Sequence, residues 1–501
     1  MQWKVHISFL SAGLLVWSTA AAQTVSFMDT YDMSNAVPPD ISAEALIATD
    51  AYPGGYMFAG PFFEVISLSP LVIDTGSVIL VVDGSGAVVP GANYSISGAF
   101  LMDVKYVSSS SYLISGFVAG DDTSGVLGMV DPTAGGMVWA KRLVILQSNS
   151  SPDVRDKLIE GIPLSSGGYV FAGENVDNLT HFDALVLKTD DAGNLEWHQF
   201  MGGNSAYGDK ARDVAETPSG DIVVAGIAGG FLGNYAGFVS LFDVSGTLLW
   251  SNVYGTADDE YIFEIDIAND GGFILAGDHM VGSDTNVLVM KLDASGAVEW
   301  AYSYGDAGRT ELGRGVVSVA DGYVISGTVG ADILLFKVDM DGNVVWARTY
   351  GGPDTDMGSE VVRGHDGGFA IVGVWNEGVN QDGLLVKTLD DGRVLDLSSA
   401  SCAYQGDITL AARPLSMSVA AFPTISRSLS LTDNALTVSA TNVGRTETCP
   451  LGTEDPLSVS EVREGTFGFT GIYSVDGRRV RDAKGPAFEL RDGKCRKVIR
   501  R

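Results

Sequence analysis

Histidine and cysteine are scarce in this chain, five and three among 501 residues. His6 sits in an N-terminal apolar stretch. His181, His198, His279 and His365 are far apart, and none has a ligand spacing such as HExxH. Each reads as a loop or strand-surface residue. No Gly-x-Ser-x-Gly elbow offers a serine nucleophile, and no Walker-type loop offers a phosphate cradle. Positive charge is also short. Against 62 Asp and Glu stand 31 Lys and Arg, a formal net charge of −31. That balance repels phosphates and argues against nucleic acid and anionic membranes as partners. Residues 24–400 lack any sustained helical period, and no apolar run after the N-terminus is long enough for a transmembrane helix.

Residues 1–22 read as a signal peptide. Lys4 opens the segment, Ile7 to Trp17 is apolar but too short to span a bilayer, and Ala20-Ala21-Ala22 is an A-x-A cleavage site. The expected location is secreted or at the cell surface of a bacterium. In that oxidising setting Cys402 and Cys449, which bracket one Ser/Thr/Val/Leu-rich region, are expected to pair. Closing that loop would contribute about 4 kcal/mol on the chain-entropy account. Cys495 is then the odd cysteine.

Glycine is abundant, at 63 residues, and it marks a repeat. Gly271-Gly272-Phe273-Ile274-Leu275-Ala276-Gly277 leads to Val287-Leu288-Val289-Met290-Lys291-Leu292-Asp293, then to Ser295-Gly296-Ala297-Val298-Glu299-Trp300 and Tyr304-Gly305. The same order recurs in seven copies about 46 to 58 residues apart. Within each copy, short runs rich in Val, Ile and Phe alternate with Gly/Asp/Asn turns, which is strand and hairpin chemistry. Such a unit cannot bury its apolar face alone, so copies must pack on copies. The period is that of propeller blades. Trp139, Trp197, Trp250, Trp300 and Trp346 occupy one slot in five copies, as expected of side chains that dock one blade on the next. The seventh copy lacks this Trp. Phe27-Met28-Asp29-Thr30-Tyr31 matches Trp346-Ala347-Arg348-Thr349-Tyr350 in spacing, with Phe27 in the Trp slot. The N-terminus is therefore expected to supply a strand of the last blade and close the ring.

Lys291-Leu292-Asp293-Ala294-Ser295-Gly296-Ala297-Val298-Glu299-Trp300 resembles the repeat of quinoprotein-type β-propellers. The longer phrase resembles a family of secreted bacterial propeller proteins. Near the end, Gly471-Ile472-Tyr473-Ser474-Val475-Asp476-Gly477-Arg478-Arg479-Val480 resembles the strand-turn-strand of type IX secretion sorting domains, and Lys497-Val498-Ile499-Arg500-Arg501 their basic last strand. The usual Gly-x-Tyr strand between them is missing or shortened to Phe488-Glu489-Leu490. Residues 461–501 hold eleven Lys/Arg and six Asp/Glu, a net of +5 in an acidic protein. The alternative for this segment is a small β-sandwich end cap. The expected architecture is all-β: signal peptide 1–22, seven-bladed propeller 23–400, β-rich stalk or linker 401–455, and a small sorting-like, β-sandwich-like domain 456–501.

Carboxylates are the only plentiful reactive groups. Asp183, Asp332 and Asp382 each precede a strand ending in Lys188, Lys337 or Lys387, a regularity that argues for turn capping. Acidic connections follow the Trp strand: Asp258-Asp259-Glu260, then Asp306 with Arg309 and Glu311, then Asp354-Thr355-Asp356. Calcium is the one ion such loops would suit. Asp339-Met340-Asp341-Gly342-Asn343 has the start of a calcium loop but lacks the remaining EF-hand positions. The reading that follows is a monomeric, non-catalytic exported propeller that binds an extracellular protein or polysaccharide. Its C-terminal segment would engage export machinery. The alternatives are an extracellular enzyme, glycan-cleaving or quinoprotein-like, with carboxylates in the propeller funnel, and a structural array protein.

Overall fold

A computed structural model describes residues 27–32, most of 42–446, and four strands within 470–499. The expected signal segment and both members of the expected Cys402–Cys449 pair lie outside the described residues. Among the described residues every regular element is a strand, and no helix is long and apolar enough to cross a membrane.

Seven four-stranded antiparallel blades form a β-propeller. Blade 5 is typical, with Asp259–Ile267 innermost, then Phe273–Val281, Asp284–Leu292 and Val298–Tyr304. Blade 7 has only three consecutive strands, Met357–Arg363, Phe369–Glu377 and Asn380–Lys387. Its fourth comes from the other end of the chain. Phe27–Asp32 pairs antiparallel with Asn380–Lys387, Phe27 opposite Lys387, so the expected closure is what the structure has. Met28 is fully buried there. A second stitch, Ser42–Glu44, lies between Asn380–Lys387 of blade 7 and Gly55–Leu68 of blade 1.

The repeated phrase has a packing cause. The Asp of each Asp-x-x-Gly turn accepts from its own hairpin. Asp243 Oδ1 takes the Ser245 and Thr247 amides, both at 2.9 Å, and the Ser245 hydroxyl. These bonds hold the Asp243 carboxyl below its ordinary pKa. The turn glycine must adopt positive φ, and in blades 3, 4, 5 and 7 it receives the preceding blade's indole, whereas Gly342 of blade 6 meets Tyr302. Gly296 has φ +82°, and a Cβ there would lie 2.9 Å from Trp250; at Gly246 it would lie 2.6 Å from Trp197. The indoles also meet the aromatic that opens the next blade's second strand. Trp139 reaches Tyr169, Trp250 reaches Phe273, Trp300 reaches Tyr323 and Trp346 reaches Phe369, with ring centroids 5.7 to 6.3 Å apart. Four residues after the indole, the buried Tyr254, Tyr304 and Tyr350 donate their hydroxyls to the carbonyls of Gly296, Gly342 and Gly392.

Residues 401–455 depart from the expected stalk. Their short strands run round the outside of the ring against chain order, adding a fifth strand to every blade. Tyr404–Asp407 joins blade 6, Ala412–Pro414 blade 5, Ser418–Ala421 blade 4 and Thr424–Ile425 blade 3. Leu429–Asp433 joins blade 2, Val438–Ala440 blade 1, and Gly444–Thr446 pairs with the N-terminal strand of blade 7. The physical reason is edge satisfaction, since each fourth strand would otherwise present unpaired amides and carbonyls. Buried Leu410, Phe422 and Leu429 of this belt insert between blades, and Phe422 stacks on Phe238 at 4.4 Å. The sorting-like segment forms one antiparallel sheet in the order Arg479–Val480, Thr470–Ser474, Pro486–Arg491, Lys494–Ile499. Cys495 lies in its last strand.

Two outcomes are expected. A chain ending at residue 403 exposes seven sheet edges and, at about 0.5 kcal/mol net per lost backbone hydrogen bond, loses several kcal/mol. Size-exclusion chromatography should show aggregation and melting a lower midpoint, whereas a monodisperse, equally stable truncation contradicts the belt. Tyr304→Phe should cost about 1–2 kcal/mol in urea melts by orphaning the Gly342 carbonyl, and Gly296→Ala should cost more, because strain and a clash with Trp250 add.

Candidate functional site

The innermost strands wall an axial channel, and one local irregularity shapes it. In blades 2 to 7 the pairing of the first two strands slips at corresponding places, around Met102, Ile159, Arg212, Phe263, Arg314 and Ser359. A bulge re-aims the side chains that follow it. Those residues are Asp103, Glu160, Asp213, Glu264, Gly315 and Glu360. Blade 6 has glycine because a Cβ there would come within 2.5 Å of Ser326 Oγ. Lower down, Asp50, Lys105 and Asp266 stand beside Ile162, Ala215, Val317 and Val362. A cavity of about 330 Å³ opens among Lys105, Glu160, Asp213, Glu264, Asp266 and Glu360.

Most of these carboxylates suture neighbouring blades. Asp103 accepts from the Gly161 amide of the next blade at 3.0 Å, Asp213 from Ile265 at 2.7 Å, and Glu360 from Thr49 at 2.6 Å. Asp50 accepts from Tyr106 and Asp266 from Ser318, both at 2.7 Å. Lys105 is the single cation of the layer, 2.7 Å from Glu160, 3.2 Å from Glu360 and 3.4 Å from Asp103. Burial opposes its charge, but Asp103, Glu160, Glu360 and Asp50 outweigh that and raise its pKa well above the usual lysine value. Among the described residues Glu264 makes neither a hydrogen bond nor an ion pair.

One lysine cannot neutralise this many acids in a desolvated channel, so the carboxyl pKa values rise. Burial first, then mutual repulsion, raises Glu160 and Glu264 well above the ordinary value. Burial pushes Asp213 and Glu360 to about 7. The rim repeats the theme. Asp209 and Asp356 are both pushed to about 7, by burial and then by Asp183 and Asp332 respectively. Each pair lies against a glycine: a Cβ at Gly202 would be 2.5 Å from Asp209 and 3.1 Å from Asp183, and one at Gly351 2.6 Å from Asp332 and 3.1 Å from Asp356. Asp209 also accepts the Gly203 and Gly229 amides, so the rim acids cap the loops that join blades.

The five tryptophans lie between blades, away from this channel. Phe27 begins the closing strand, and its side chain lies outside the described residues. His279 is buried, not at the surface as read from sequence, because it faces Ser303 at 3.1 Å and stands 3.7 Å from the buried Glu260. Burial keeps it neutral by lowering its pKa. The Asp339-Met340-Asp341-Gly342-Asn343 segment is a hairpin like those of the sibling copies, in which Asp339 Oδ1 accepts the Asp341 and Asn343 amides. Among the described residues no group of three or more His, Cys, Asp or Glu is arranged to hold a metal. Sequence reasoning missed the channel acids, although a signal exists. Asp103, Glu160, Asp213, Glu264 and Glu360 each fall nine residues before the residue that opens the second-strand core, Tyr112, Tyr169, Ile222, Phe273 and Phe369.

The raised carboxyls set a pH dependence with a definite sign. Between about pH 4 and 7 the folded chain holds protons that the unfolded chain has released, so stability falls as pH rises through that window. Melting temperature should be higher at pH 5 than at pH 8. Glu264→Gln should flatten that slope and raise the stability at pH 8 by on the order of 1 kcal/mol. A slope of the opposite sign contradicts the protonated channel.

No protein-family model matches the chain, and no curated protein matches it. Among solved structures it is similar to the crystal structure of the Chaetomium thermophilum Sqt1, with TM-score 0.38 and 10% identity over 68% of this chain and 94% of that one. A second structure of Sqt1 from Chaetomium thermophilum, solved by MR, matches with TM-score 0.37 and 11% identity over 68% and 95% of the two chains. A likeness at this level says nothing of ligand or partner.

Proposed function

We propose that this protein is an exported, non-catalytic propeller that binds an extracellular protein or polysaccharide at the mouth of its axial channel. The observation that carries this reading is the contrast between its two kinds of position. Contacts between blades repeat a few residue types, Trp, Tyr and turn Gly. The channel positions differ from blade to blade, with Phe100, Lys157, Lys210, Tyr261, Leu312 and Met357 opening the innermost strands. A scaffold repeats, whereas a recognition surface for an unsymmetrical ligand cannot. Export rests on the expected signal peptide, and surface attachment on the likeness of residues 470–501 to a sorting domain.

One observation favours a second reading. Among the described residues the Glu264 side chain makes no hydrogen bond or ion pair, and its pKa is raised in the cavity that it lines with Asp213, which is pushed to about 7. Two carboxyls so placed could serve as acid and base in glycan cleavage.

The test uses residues 23–455, which retain the belt, on a glycan array and in pull-downs. A ligand should be captured, then lost in Phe100→Ala and Lys157→Glu, and kept in Leu249→Ser on the exposed outer strand. Capture that ignores the mouth variants places the ligand elsewhere and overturns the proposal. Release of reducing ends from any arrayed glycan, abolished by Glu264→Gln, would establish the enzyme instead.

A further inference from the structure

Just above the carboxyl layer the channel changes sign. The bulges of blades 4, 5 and 6 carry Arg212, Phe263 and Arg314. Arg314 is compensated. Its Nη1 donates to both Asp278 oxygens, at 3.0 and 3.1 Å, and its guanidinium lies 4.4 Å from the Phe263 ring centroid. Arg212 is compensated only in part, at a distance, by Glu174. Among the described residues it makes no hydrogen bond or ion pair, and its Nε is buried without an acceptor. Glu174, the acid whose charge it feels, stands 3.6 Å from Lys210 instead. Burial, reinforced by Arg314, lowers the Arg212 pKa.

A partly buried guanidinium whose Nε lacks an acceptor costs free energy, and a second cation beside it adds to the cost. The arrangement is accounted for if an incoming anion completes it. The planar fork suits an oxyanion such as a carboxylate. The surroundings narrow the ligand. Half-buried Tyr235 and Tyr261, with ring centroids 5.1 Å apart, form an aromatic step on the same rim. Below, starting at Asp213 beside Arg212 in the chain, are carboxyl groups that accept from hydroxyls. An anionic group above many hydroxyls, on a ring with an apolar face, describes an acidic sugar. An acidic peptide would satisfy Arg212 but would bring few hydroxyls to the carboxyl layer.

We propose that Arg212 and Arg314 bind the carboxylate of a hexuronate unit in an acidic polysaccharide, with the sugar face on Tyr261 and its hydroxyls toward the carboxyl layer. This rests on the binding reading above and names its ligand class.

The test is calorimetry of the full chain with oligogalacturonate, a neutral galacto-oligosaccharide of equal length, and oligo-glutamate. Saturable binding is expected for oligogalacturonate alone. Arg212→Met should weaken it about tenfold or more, the equivalent of roughly 1.4 kcal/mol, and Arg212→Lys should weaken it less. Arg212→Met should melt no lower than the parent, because it removes a charge that had only a distant partner; this separates lost recognition from lost folding. No saturable binding, equal binding of the neutral sugar, or an indifferent Arg212→Met overturns the inference. Preference for oligo-glutamate overturns it in favour of an acidic peptide. If the mouth variants abolish capture of some other ligand while oligogalacturonate fails to bind, the binding reading stands and this one falls.

Discussion

The structure depends on one contact made again and again, in which an aromatic side chain of one blade rests on the turn glycine of the next. The indole needs a site without a Cβ, and the turn needs a residue at positive φ, so glycine meets both demands. In blades 4, 5 and 6 the tyrosine hydroxyl fixes the height of this contact by bonding the same glycine carbonyl. Each blade is thereby positioned by its predecessor. Five such steps, running from blade 2 to blade 7, are present among the described residues, and the channel lies where the innermost strands they position converge.

The repeat was legible because its residues answer to local rules. Asp at the turn head, Gly at positive φ, and Trp and Tyr at a spacing of four each carry a fixed task, so they recur in register along the chain. The N-terminal closure was legible for the same reason, since Phe27 to Tyr31 keeps the spacing of a fourth strand. The belt was not. Its strands are two to five residues long, and their partners lie far away in sequence and in reverse order. Ser418 to Ala421 is mostly exposed, so it shows no clear alternation of burial. What specifies it is the unpaired edge of Leu248–Gly255, a property of another part of the chain.

The channel was illegible for a different reason. Its acids do recur at a fixed offset, but acids in an acidic chain read as surface. The bulge turns them inward, where three suture neighbouring blades through backbone amides and Glu160 pairs with Lys105. Glycine at 315 and the isolated Glu264 break the sevenfold pattern at adjacent blades, and that asymmetry gives the cavity distinguishable walls. Arg212 and Arg314 flank the same gap, so the irregular sector of the ring is also where the sign of the channel changes.

The belt gives closure a logic beyond edge protection. Phe27–Asp32 is bonded on one side to Asn380–Lys387 and on the other to Gly444–Thr446. A terminal strand held on one edge can fray. Held on both, it leaves only with the belt's last strand. That last strand follows six others, each seated on a blade that must already be in place. The chain therefore secures its first strand with its final turn around the ring, and opening the propeller at its seam requires unwinding the belt from the C-terminal end. The interaction between blades sets the geometry, while the belt makes that geometry hard to undo locally, and a rigid channel is what lets unlike side chains hold their places against a ligand.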